Sequence, residues 1–78
     1  MVKVKLEDGR EAAIVRVASH RATGKLKRLV GKLEWFYNFD DGNSFAAVPV
    51  ELLPQARVIT GITLARPTRP LWRCWSFD

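Results

Sequence analysis

His20 and Cys74 are each the sole residue of their kind in this 78-residue chain, and they bound the catalytic chemistry it can host. A catalytic site needs a nucleophile with a base, or paired carboxylates, held at fixed geometry. Ser19 and His20 are neighbours in sequence, and at a strand end successive side chains point to opposite faces, which disfavours a hydrogen-bonded pair. Cys74 follows Arg73, with no His or second Cys near it in sequence to form a reactive couple. Structural zinc takes about four Cys or His ligands, and His20 with Cys74 is the entire supply. Asp40-Asp41 ahead of Gly42 reads as a turn, without the spaced ligands of a calcium loop. A phosphate-binding glycine loop is absent as well. The chain is therefore expected to be non-enzymatic, with no metal, no cofactor and no small-molecule substrate implied.

What does recur in a pattern is positive charge. Between Ala12 and Leu33 there is no acidic residue, while Arg16, Arg21, Lys25, Lys27, Arg28 and Lys32 are all present. A second acid-free stretch, Leu52 to Phe77, carries Arg57, Arg66, Arg69 and Arg73. Acids gather at the Glu7-Asp8 and Asp40-Asp41 turns, and the net charge is +5. Segregated charge of this kind creates a field that recruits polyanions, of which nucleic acid is the commonest in the cytosol. Arg21, Lys25, Lys27, Arg28 and Lys32 are the expected phosphate contacts, with Arg66, Arg69 and Arg73 extending the track. An exposed ring at Phe36 would stack on a base.

The elements that must position these groups belong to one small domain. Apolar residues make up 47% and charged residues 27%, a globular balance in a chain long enough for one modest core. A single cysteine excludes an internal disulfide, so a reducing compartment fits. The N-terminal stretch Met1 to Lys5 alternates charge with apolar residues, and no run approaches the roughly 18 apolar residues of a membrane span. A cytoplasmic location is expected, or a nuclear one if the source is eukaryotic.

Val2, Val4 and Leu6 alternate with lysines, which predicts a half-buried strand, and Asp8-Gly9 supplies a hairpin turn. Ala13, Val15 and Val17 mark the partner strand from Glu11 to Ser19. Trp35, Tyr37 and Phe39 share the inner face of a third strand, and Phe45 to Val48 returns after the Asp40 to Asn43 turn until Pro49 stops it. Val50 to Leu53 reads as one 3₁₀ turn before Pro54. Arg57 to Leu64 is β-branched enough for a last strand, with a bulge at Gly61. Residues 24–33 are ambiguous: Leu26, Leu29, Val30 and Leu33 have helical spacing, yet Gly31 counts against a helix interior, and a basic hairpin arm is preferred. Two prolines at 67 and 70 make the segment after Ala65 irregular through Pro70. Trp72, Trp75 and Phe77 are too apolar to idle in solvent and are expected to pack on the domain or on another subunit.

Two hairpins with acidic glycine turns, a one-turn connector and a closing strand resemble a Src-homology-3-like barrel, especially its Tudor branch. The similarity lies in Val4 to Val17, then in Phe39-Asp40-Asp41-Gly42-Asn43-Ser44-Phe45 and Val50-Glu51-Leu52-Leu53-Pro54, and covers residues 2–54. It implies an all-β, five-stranded barrel over 1–65 with a basic hairpin arm and an aromatic C-terminal extension over 66–78. It also implies a partial aromatic cage for methylated Lys or Arg from Phe39, Phe45 and Asp41. Leu6 and Glu11-Ala12 stand where the family carries its other rings, so half the cage is missing.

Nucleic-acid binding through the basic arm is the leading expectation. Its rival is a protein-interaction or self-association module that uses Trp72, Trp75 and Phe77 or an open sheet edge. A methyl-Lys or methyl-Arg reader ranks third.

Overall fold

A computed structural model describes residues 2–37, 43–66 and 71–74. The chain runs β1 (Lys3–Lys5), β2 (Glu11–Arg16), α1 (His20–Val30), β3 (Glu34–Tyr37), β4 (Ser44–Pro49), a 3₁₀ turn (Val50–Leu52), α2 (Leu53–Thr60), β5 (Thr63–Leu64) and β6 (Trp72–Cys74). The strands form one antiparallel sheet in the order β1-β2-β4-β3-β6, with β5 also paired to β2. The fold is predominantly β, as the two-residue periodicity predicts, but among the described residues two α-helices join the six strands.

β2 anchors the sheet. One of its edges pairs with β4 along its length, and the other is shared: β1 covers Glu11 to Ala13, and β5 covers Val15 and Arg16. Ile14 is the changeover, its N–H donating to the Val2 carbonyl at 2.9 Å and its carbonyl accepting from Ala65 at 3.1 Å. Ala12, Ala13, Ile14 and Val15 are all fully buried, so both faces of this strand are covered. Alternation alone assigns it one inner face. On one side Ala13 and Val15 pack with Leu26 of α1 and with Leu53 and Ala56 of α2. On the other, Ala12 and Ile14 pack with Phe45, Ala47 and Ala65, flanked by Val4 and Leu71. That second cluster exists because the sheet curls into a half-barrel.

Arg73 shows how far the curl goes. Its Nη2 donates to Glu34 Oε1 on the adjacent strand β3 and reaches Glu7 Oε1, in the β1–β2 turn, at 3.3 Å. One guanidinium on the β6 edge thus touches the far end of the sheet.

Three expectations are corrected. Residues 24–33 are not a hairpin arm; they lie largely within α1, which begins at His20. Ser19 is its N-cap, with Oγ accepting from the Ala22 N–H at 3.2 Å, which satisfies one of the donors a helix start leaves open. Gly31 is not interior. It stands just past the last turn at φ 87°, donating to the Lys27 carbonyl at 2.8 Å, a conformation that glycine adopts without steric cost. The segment from Arg57 is not a long strand either: α2 occupies Leu53–Thr60, and only Thr63–Leu64 is extended. Pro54 sits in the first helical turn, where its missing N–H has no partner to lose. Gly61 is the left-handed cap of α2 rather than a strand bulge. Beyond Pro70, past the stretch expected to be irregular, β6 pairs with β3.

Candidate nucleic-acid interface

α1 is amphipathic for the reason its sequence states. Ala22 and Leu26 are buried against the sheet, with Leu29 and Val30 packed beside them. Arg21, Lys25 and Arg28 fall at spacings of four and three, so one outward stripe carries all three, and all are exposed. At 1.5 Å per residue the stripe spans about 10 Å of helix axis. Lys27 lies beside it, half-buried, and Lys32 follows Gly31 into solvent. Lys27 and Arg28 also stand in the last turn, where the helix dipole favours cations.

Among the described residues, none of Arg21, Lys25, Lys27, Arg28 and Lys32 forms an ion pair. The described carboxylates are engaged elsewhere. Glu11 meets Lys3 at 3.5 Å, Asp8 and Glu51 meet Arg10 at 2.7 and 3.5 Å, and Glu34 and Glu7 share Arg73. The Arg10 backbone N–H donates to Asp8 and, with the guanidinium of the same residue, holds the Asp8 carboxyl below the usual carboxylate range.

The other expected contacts are scattered. Arg66 is exposed just beyond β5 rather than on α1. Arg73 is committed to two carboxylates and adds little free charge. Phe36 is not an exposed stacking ring: it is half-buried and packs on the cluster of Ile14 and Phe45, since the curl covers its face. Phe45, at 5% exposure, belongs to that same cluster, so its ring is occupied by packing. Trp72 is 60% exposed on β6, in register with Tyr37. Arg69, Phe39, Asp41, Trp75 and Phe77 lie outside the described residues.

Two cations of the acid-free stretches lie outside the expected contacts. Arg57 is exposed on α2, which packs against α1, and Arg16 is exposed at the end of β2. Both fall in the acid-free stretches; recognising α2 from Pro54 would have brought Arg57 near α1. Among the described residues, no helix is long and apolar enough to cross a membrane.

The chain matches no protein-family model, and no curated protein or solved structure is significantly similar to it.

Proposed function

We propose that the protein is a non-enzymatic nucleic-acid-binding module that engages the phosphate backbone through the outward face of α1. The observation that carries this reading is the stripe of Arg21, Lys25 and Arg28, exposed on a helix anchored to the core and lacking carboxylate partners among the described residues. A helix packed on the core fixes the backbone spacing of these charges, so only their side chains have to be ordered on binding. Phosphate contacts position a protein on nucleic acid without reading sequence, and no Phe, Tyr or Trp lies within α1 to stack on bases. Affinity is thus expected to be broad in sequence and steep in salt.

An electrophoretic shift or fluorescence titration with duplex and single-stranded probes over a salt series tests this. With three to four phosphates contacted, log K should fall with log salt at a slope of about −2.7 to −3.6 on duplex DNA. Absence of binding at low salt, or a flat salt response, would reject the reading.

A second reading, self-association, is favoured by Trp72, which is 60% exposed on a sheet-edge strand. Sizing of a Trp72→Ser variant tests it better than truncation after Ala65, because removing β6 would also strip Arg73 from Glu34 and bare the edge of β3.

A further inference from the structure

Gly24 stands in the middle of α1, where glycine is the poorest residue short of proline. The two usual structural reasons for a helical glycine are missing. Its φ is not positive, and beyond its chain neighbours and the helix's own backbone a Cβ built on it would meet nothing within 4 Å. Its neighbours on the helix surface are the residues three and four positions away: His20, Arg21, Lys27 and Arg28. Each carries nitrogen donors, and His20, Arg21 and Arg28 are exposed.

Resting on the nucleic-acid reading, we propose that Gly24 is the floor of a phosphate seat, where a backbone phosphodiester of the nucleic acid settles among His20, Arg21, Lys27 and Arg28. A missing Cβ lets the phosphate approach the helix backbone, which shortens its distance to all four side chains at once. Coulomb attraction rises as that distance falls, and charge-assisted hydrogen bonds need close approach. A phosphate suits the site because its several acceptor oxygens can take donors from more than one side. A carboxylate, by contrast, is satisfied by one arginine fork. Lys25, on the far side of Arg21 and Arg28, would meet the next phosphate along the strand.

The test sets stability against affinity. Gly24→Ala and Gly24→Leu keep every charge and improve helix propensity, so both should raise the thermal midpoint. Binding to a duplex of about 20 base pairs should weaken about 5-fold for Ala and about 30-fold for Leu, the Leu variant losing roughly one phosphate's share of the salt slope. Gln55→Leu, which adds apolar bulk to the exposed face of α2, should leave affinity unchanged. Variants at Gly24 that gain stability and bind like the wild type would overturn the seat while leaving the nucleic-acid reading intact. Equal loss from Gln55→Leu would overturn it too, since bulk anywhere would then suffice. Wild-type protein that fails to bind at low salt would sink the parent reading before any substitution is made.

Discussion

Lys3, Arg10 and Arg73 differ from Arg21, Lys25 and Arg28 in what they face. The first three sit on the sheet side of the molecule and, between them, meet all the described carboxylates: Glu7, Asp8, Glu11, Glu34 and Glu51. Their charges tie turns and strand edges together. The second three ride on α1 with no acid in reach among the described residues, and apart from the pull of the helix dipole on Arg28 in the last turn their charge adds nothing to cohesion. Like-charged neighbours at helical spacing repel mildly, so the stripe costs some folding stability. A surface of this composition makes physical sense where an external anion supplies the missing partner.

Matched neutralisation is the most direct way to break that contrast. Changing Arg21→Gln, Lys25→Gln and Arg28→Gln should lower affinity for duplex DNA about 100-fold, roughly 2.7 kcal/mol, and flatten the salt slope by about 2.7. Changing Lys3→Gln, Arg10→Gln and Arg73→Gln removes the same formal charge and should change affinity less than about 3-fold, while reducing stability. Equal losses in the two triple variants would show that net charge alone governs binding.

The sheet side can be probed singly. Arg73 is half-exposed, but Glu34 is only 15% exposed, so Arg73→Ala strands a carboxylate with limited access to water. That should cost about 1–2 kcal/mol in denaturant unfolding, between the values for surface and buried pairs, with nucleic-acid affinity unchanged. An unchanged denaturation midpoint would mean that the bridge between β6, β3 and the β1–β2 turn does not hold the curl. On the helix side, Ser19→Ala removes the acceptor for the Ala22 N–H and should cost about 1 kcal/mol. Fraying at this end would also loosen Arg21, so affinity should drop slightly, whereas Arg73→Ala leaves it alone.

The contrast was partly legible in the amino-acid order. Acid-free residues 12–33 mark the cations that have no ion-pair partner among the described residues, and two-residue alternation with the glycine turns locates β1 to β4 and the β1–β2 and β3–β4 pairings. The helical spacing of Leu26, Leu29, Val30 and Leu33 was equally visible, but Gly31 reads as a broken interior until Ser19 is recognised as the cap that moves the helix four residues upstream. α2 was hidden by Val58 and Ile59, whose β-branched side chains favour strands, although Pro54 was a start signal. Burial of both faces of β2, and with it the loss of Phe36 as a stacking ring, depends on curvature that no local period encodes. Nor does local order reveal that Arg73 meets Glu7, since 66 positions separate them.

The gentlest probe is pH. In the folded protein the Arg10 N–H and guanidinium stabilise the charged form of Asp8, so its carboxyl titrates below its unfolded value. The unfolded chain then binds more protons in the interval between the two values, and stability rises with pH there. This contribution is complete above the unfolded Asp pKa of about 3.9 and disappears as pH falls through the lower folded value. Asp8→Ala should therefore narrow the difference in thermal midpoint between neutral and strongly acidic solution, while leaving the salt dependence of nucleic-acid binding untouched. A salt slope that moved with Asp8 would mean that this turn, and not α1 alone, shapes the field that draws the polyanion.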